Sequence, residues 1–322
     1  MRWVELKARL LEAGGVRVTG IPIDDRIETS RAGPSAGGPG SVFFTVGTRR
    51  IRLGLDPKSP IELIHLGNGK ARIRIDDTTV PGHLETVGLH CPRQAYITVS
   101  EGCIFRCRYC PVPLQEVRVK TPEEIERLVE GVIDRIDAIS LTSGVVGSIE
   151  EDEARIVEVV SRLRRFEKPI GVSIYPSPDT PRRLHSHGVA EVKFNIETAT
   201  EDLFKRLCPG LDRDVIWEAL HASVPLFGRN HVFSNVILGL GETDEEMVGC
   251  LRELAGAGVI PIVRPLSPAA DCADLPRPSA RRLLSICEAH GGILKEAGLN
   301  PREALTMCVA CTGCDLSPGR DT

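Results

Sequence analysis

Two short runs of cysteine hold the most reactive side chains in this sequence. The first, Cys103-Ile-Phe-Arg-Cys107-Arg-Tyr-Cys110, separates its thiols by three and then two residues. The second, Cys308-Val-Ala-Cys311-Thr-Gly-Cys314, separates them by two and two. Eleven cysteines is an odd count, and its bunching into triplets argues for metal rather than a disulfide framework. Thiolates are the usual ligands of iron–sulfur clusters, and a cubane takes four donors. A three-cysteine loop therefore leaves one iron open, where a small molecule can chelate and be reduced. Structural zinc is the plainer alternative, but zinc sites usually close with four ligands in pairs, and no His or Cys stands beside this loop in sequence to complete one.

The second triplet also needs a fourth donor if it holds a cubane. A ferredoxin run continues soon after with a cysteine followed by proline, and this tail offers Ser317-Pro318 instead. Cys91, in His90-Cys91-Pro92, is the other candidate, reached if the tail folds back. An auxiliary iron–sulfur cluster, a structural zinc and a disordered tail all remain open, since spacing alone does not separate iron from zinc. Cys208, Cys250, Cys272 and Cys287 lie singly, and each reads as a small buried apolar residue.

The elements that must position these cysteines begin at residue 94. Buried-strand runs at 95–100, 138–143, 170–176, 191–196, 232–240 and 259–266 alternate with helices near 122–135, 150–166, 199–206, 213–226, 243–257 and 277–297. Thr121-Pro-Glu-Glu and Thr243-Asp-Glu-Glu246 are helix starts, each with a capping hydroxyl and acids in the first turn. Such alternation indicates a parallel sheet, and right-handed crossovers curl it into a partial barrel or wind it both ways. In either form chemistry belongs at the carboxyl ends of the strands, and the first triplet directly follows strand one.

Residues 1–90 differ in texture. An amphipathic helix at the start is followed by the Gly/Pro-dense stretch Ala32–Gly40 and by strand-like runs SVFFTV, RRIRLGL and GKARIRI. The glycine-rich stretch lacks a P-loop Lys-Ser/Thr pair, so a structural or lid-like loop is favoured over a phosphate cradle. The expected fold class is α/β: a partial (β/α)6 TIM-like barrel (91–298) with a small β-rich N-terminal module (1–90) and a cysteine-rich C-terminal tail (299–322).

Bulk properties exclude some roles. The 322 residues are 42% hydrophobic and 26% charged, ordinary for a soluble globular protein. A net charge of -4 and only 4% aromatics give no electrostatic or stacking footprint for nucleic acid. No apolar run approaches the ~20 residues that span a bilayer. The opening helix carries charges through its apolar part and is no signal peptide, so the expected location is cytoplasmic.

The CX3CX2C spacing with Tyr109 before its last cysteine, in the loop after the first barrel strand, resembles the radical S-adenosylmethionine superfamily over roughly residues 94–270. The resemblance implies a [4Fe–4S] cluster on Cys103, Cys107 and Cys110. It implies S-adenosylmethionine chelating the open iron, and its one-electron cleavage to methionine and a 5′-deoxyadenosyl radical. It also implies a cofactor-binding set that includes Tyr109. Thr142, Ser143 and Gly144 replace the family's Gly-Gly-Glu turn, leaving backbone carbonyls and hydroxyls to hold the methionyl amine. Asn195-Ile-Glu197-Thr198 is similar to the Asn-Leu-Glu/Asp-Thr segment of biotin and lipoyl synthases. That makes Glu197 a candidate for the ribose hydroxyls or amine, against a solvated helix-capping acid. Asn235-Val-Ile237-Leu-Gly239-Leu-Gly241-Glu242 resembles the adenine-supporting GxIxGxxE motif, with Asn235 in place of the first glycine. Arg264 would meet a carboxylate or form a structural ion pair.

The layout as a whole is similar to the archaeal biotin-synthase-related proteins, some of which act in pairs as a lipoyl synthase. It departs from bacterial lipoyl synthase, whose auxiliary cysteines precede the radical triplet and whose C-terminal serine is a ligand. The function this implies is sulfur insertion into C–H bonds, with a second [4Fe–4S] auxiliary cluster supplying sulfide. Its implied partners are a lipoyl-carrier protein or octanoyl peptide, a partner radical enzyme subunit and an electron donor such as ferredoxin. Rearrangement or methylation with a structural tail cluster, and an iron–sulfur carrier scaffold, are the competing functions.

Overall fold

The structure, a computed structural model, describes residues 1–23, 26–29 and 40–322. The glycine-rich stretch therefore lies outside the described residues, Gly40 excepted. Helix α1 (Trp3–Ala13) leads into six strands: β1 (Gly15–Gly20), β2 (Ser41–Val46), β3 (Arg49–Leu55), β4 (Glu62–Gly67), β5 (Lys70–Ile75) and β6 (Thr78–Leu84). They close into a barrel in the order β1-β3-β2-β6-β5-β4. Alternate residues of β5 are buried, as its sequence requires. Strand β6 contains Pro81-Gly82, which in sequence argues against a strand. Here Gly82 is what lets it cross: an added Cβ would sit 2.3 Å from the Thr45 carbonyl oxygen and 2.4 Å from the Phe44 ring.

The larger sheet follows. Strand β7 (His90–Cys91) turns antiparallel into β8 (Gln94–Thr98), and the ribbon β9 (Ser100–Glu101) with β10 (Arg118–Val119) brackets the first cysteine loop. Then come α2 (Pro122–Glu130), β11 (Ala138–Thr142), α3 (Ile149–Leu163), β12 (Ile170–Ser173), α4 (Thr180–Ser186), β13 (Glu191–Lys193) and α5 (Glu201–Leu207). The chain continues with α6 (Arg213–Phe227), β14 (Val232–Leu238), α7 (Asp244–Gly256), β15 (Ile260–Pro265), α8 (Ala280–Glu296) and α9 (Met307–Cys311). The sheet order is β15-β14-β13-β12-β11-β8-β7, with β8 and β11 to β15 all parallel, which makes the expected partial barrel. Thr121 and Thr243 cap α2 and α7 through their hydroxyls. Helix α4, a seven-residue piece opened by Thr180-Pro181, went unread in the sequence. Strand β13 stops at Lys193, short of the expected 196. Beyond it the Asn195 side chain takes the Asn235 N–H at 3.2 Å, and Glu197 turns left-handed at φ 61.

The tail is a built element, not a disordered one. Buried Glu191 accepts from the N–H groups of Leu305 and Thr306 at 2.8 and 2.7 Å and from the Thr306 hydroxyl at 2.6 Å. Ser140 accepts from the Met307 N–H at 2.9 Å, and Gln94 donates to the Met307 carbonyl at 3.1 Å. Gly171 permits this approach, since a Cβ there would lie 2.0 Å from Thr306 Oγ1. The opposite side of the tail is tied to the N-terminal elements. Arg52 N–H donates to the Gly313 carbonyl at 2.7 Å, and Lys7 Nζ reaches Asp321 Oδ2 at 2.7 Å. Among the described residues no helix is long and apolar enough to cross a membrane.

Candidate metal centre

At the carboxyl ends of the parallel strands lies a chamber of about 340 Å³, and both cysteine triplets line it, together with Cys91. The first triplet is held by its backbone. Ile104 N–H donates to the Val145 carbonyl at 2.7 Å, and Arg108 N–H to that of Leu207 at 2.8 Å. Gly144 packs so tightly on this loop that a Cβ would sit 2.0 Å from the Gly102 carbonyl oxygen. Burial pushes the Cys103 thiol up and that of Cys110 up to about 12. Such thiols stay protonated until a metal displaces the proton. Cys208, read from sequence as a lone apolar residue, lies against Cys107 and within 4.0 Å of the Tyr109 hydroxyl; the Cys107 contact, with burial, drives its thiol far up. Nothing in its spacing signals that contact.

The tail triplet faces the same chamber from the barrel floor. Cys91 hydrogen-bonds Cys311, and Phe43 packs over both. That hydrogen bond, helped by Arg50 and the Gly313 N–H against the cost of burial, brings Cys311 down to about 7, while Cys91 is driven up. Thiols distant in sequence thus form one group of Cys91, Cys308, Cys311 and Cys314. Ser317 is not part of it: its N–H donates to Asp321 Oδ2 at 2.8 Å, and it lines a separate small cavity. The tail turns away from the chamber after Cys314, which carries Ser317 to the far side. Among the described residues no three His, Cys, Asp or Glu side chains close on one ion position.

Cations stand beside the tail thiols. Lys193 Nζ lies 3.5 Å from Cys308 Sγ, and Arg264 Nη1 lies 3.2 Å from Asp315 Oδ2. Burial alone would lower the Arg264 guanidinium, but Cys308, Cys314 and Asp315 hold it up. Arg264 is thus in an ion pair, and that pair sits beside the tail thiols. Lys193 was not singled out in the sequence, because only the folded tail reveals its role.

Toward the first triplet, Glu197 faces the chamber. Burial raises its carboxyl, against hydrogen bonds from Asn195 and Tyr109 and the charges of Lys193 and Arg264. It is no helix cap, since Thr200 fills that position by accepting from Leu203 N–H at 3.2 Å. Thr142, Ser143, Gly144, Asn195, Asn235 and Tyr109 also line the chamber. The Ser143 hydroxyl is occupied, accepting from Ser100 N–H at 3.2 Å and donating to the Gly144 carbonyl at 3.0 Å. Ile237 and Gly239 do not line it. Ile237 N–H is spent on the Glu197 carbonyl at 2.8 Å, and Gly239, at φ 111, gives its N–H to Glu242 and backs on Leu266 and Pro278. Phe105 and Tyr175, with ring centroids 5.1 Å apart, add an apolar wall that the motifs did not announce.

Residues 97–254 match the family described as the Radical SAM superfamily. A lipoyl synthase of Leptospira biflexa is 26% identical over 179 residues, covering 51% of this chain and 55% of that protein. One of Bordetella parapertussis is 28% identical over 184 residues, covering 49% and 50%. The chain therefore spans about half the length of the curated relatives it matches. Among solved structures, the hydrogenase maturase HydG of Carboxydothermus hydrogenoformans superposes with a TM-score of 0.53 at 16% identity, over 63% of this chain and 52% of that one. Methylornithine synthase superposes with a TM-score of 0.51 at 19% identity, over 72% and 79%. At those identities the superpositions speak to fold alone.

Fold and loop together define a partial-barrel enzyme that mounts its cofactor at the strand ends. The chain carries a radical S-adenosylmethionine domain, with a [4Fe–4S] cluster and S-adenosylmethionine as its cofactors. The donor set fits that cluster: three chamber-lining thiols on one loop, with one iron left open for the small molecule.

Proposed function

We propose that the protein inserts sulfur into unactivated C–H bonds of a carrier-bound acyl chain, in the manner of a lipoyl synthase. The observation that carries this reading is the single chamber onto which both cysteine groups open. Cys103, Cys107 and Cys110 hold the radical cluster in this reading, and Cys91, Cys308, Cys311 and Cys314 hold a second one. When bound, the first supplies the electron that cleaves S-adenosylmethionine and the second supplies sulfur.

The chain's own residues place the reactants. Glu197, fixed by Asn195 and Tyr109, would meet the ribose hydroxyls or the amine of the cofactor. With the Ser143 hydroxyl already engaged, the turn Thr142–Gly144 offers the Thr142 hydroxyl and backbone groups to the methionyl end. Lys193 and Arg264 offset negative charge on the tail thiols, which a low-dielectric wall would otherwise make costly. The Phe105–Tyr175 pair limits water at the reacting carbon. The substrate would be the octanoyl chain of a lipoyl-carrier protein or peptide. A ferredoxin-like donor supplies electrons, and a partner radical enzyme subunit belongs to the same proposal.

The test is an anaerobic turnover with S-adenosylmethionine, dithionite and an octanoylated carrier peptide. Deoxyadenosine and a thiolated peptide should form together as acid-labile sulfide is lost. Cys311→Ala should keep deoxyadenosine formation and end thiolation. Deoxyadenosine formed with the sulfide intact would instead mark rearrangement or methylation, and no deoxyadenosine at all a carrier scaffold.

A further inference from the structure

A second cavity, of about 540 Å³, lies across the tail from the chamber. The tail separates the two: Cys311 and Gly313 face the chamber, Ala310 and Thr312 the cavity. Its walls come from the β2–β3 turn, the edge around Arg93 and Asp137, and the end of the tail. Arg49, Arg50, Arg93, Arg302 and Arg320 border it against one carboxylate, Asp137, in a chain whose net charge is -4.

Acids neutralise only part of this cluster. Arg93 forms a two-point pair with Asp137 at 2.5 Å, and Arg50 one with Glu85 at 2.9 and 3.3 Å. Arg320 is committed to backbone carbonyls, with Pro301 at 2.9 Å and Arg302 at 3.1 Å, and Arg302 likewise donates to the Gly319 carbonyl. Those contacts fix the guanidinium groups but leave their charge in place. Arg49 is exposed and has no ion-pair partner among the described residues. Burial lowers the Arg320 guanidinium; Glu191 and Asp321 act against that from behind the cleft, while Arg302 and Arg50 add to it, so these three cations are close enough to feel one another. Guanidinium forks held in place by backbone match phosphate oxygens well, and the cavity has the size of a small-ligand site.

We propose that this cleft binds an oligophosphate, either inorganic or the phosphate chain of a nucleotide, and thereby clamps the tail to the N-terminal module. The test is calorimetric titration of the full chain with tripolyphosphate, ATP and AMP. Tripolyphosphate should bind saturably, and Arg49→Glu should weaken it by roughly tenfold or more. Arg252→Glu, the same charge change on exposed α7, should not. Equal affinity for ATP and tripolyphosphate assigns the site to the phosphate chain, and tighter ATP binding to a nucleotide. Hydrogen exchange over residues 300–322 should slow on binding. The proposal is overturned by the absence of saturable binding, by equal weakening in both variants, by unchanged exchange in the tail, or by tighter binding of a polyglutamate peptide than of tripolyphosphate.

Discussion

Replacing Lys7 with methionine should unfasten the tail from the opposite end of the chain. Lys7 is fully buried, with Nζ 2.7 Å from Asp321 Oδ2 and 2.5 Å from the Thr312 carbonyl oxygen. Asp321 also accepts from Trp3 Nε1 at 2.9 Å and Ser317 N–H at 2.8 Å. Methionine keeps the stem's volume but strands a buried carboxylate and a carbonyl two residues before Cys314. Removing one member of a buried pair costs about 3–5 kcal/mol. That is a large part of a typical stability of ~5–15 kcal/mol. Urea titration should show a lower midpoint at unchanged slope, and the iron held by the tail should fall with it. Lys7→Met combined with Asp321→Asn should recover much of the loss, because the stranded charge is gone. A loss below about 1 kcal/mol with tail iron retained would refute the reasoning, since that lies within the range of an exposed pair.

His290 should make the fold acid-sensitive. Burial depresses its imidazole to about 4, so below its ordinary 6.5 the unfolded chain binds more protons than the folded one. Its contribution is intact above pH 6.5 and lost as pH falls toward 4. The step from pH 7 to pH 5 should cost about 2 kcal/mol in urea midpoints, and His290→Leu should flatten it. Gly144→Ala should dislodge the first cysteine loop, because the new methyl meets the Gly102 carbonyl. Iron analysis should then show loss from the first site and retention in the tail; full retention in both would contradict the packing.

Much of the barrel was legible because its strands are buried on both faces and read as unbroken apolar runs, with capping hydroxyls marking α2 and α7. The first triplet was legible for a related reason: all its ligands sit on one loop, so spacing alone encodes the site. Contacts made only by tertiary folding were not. Cys91 and Ser317 were both candidates, and the tail's path under the barrel, set by Glu191 and Ser140, brings Cys91 beside the tail thiols and leads Ser317 away from them. Lys193 and Cys208 gain their neighbours the same way. Ile237 and Gly239 fit a motif by letter but fall off the chamber, because the left-handed turn at Glu197 draws the Ile237 N–H into the sheet. In the N-terminal barrel, Pro81-Gly82 hid β6, although the crowding of Phe44 is what demands that glycine.

The proposed function requires two clusters, on two cysteine groups facing one chamber. Iron and acid-labile sulfide per chain, after anaerobic reconstitution of the wild type and the Cys103/Cys107/Cys110 triple alanine variant, test it most directly. Two cubane clusters give about eight irons falling to about four. About four irons falling to none, with zinc in the tail, would contradict the proposal and leave a one-cluster radical enzyme.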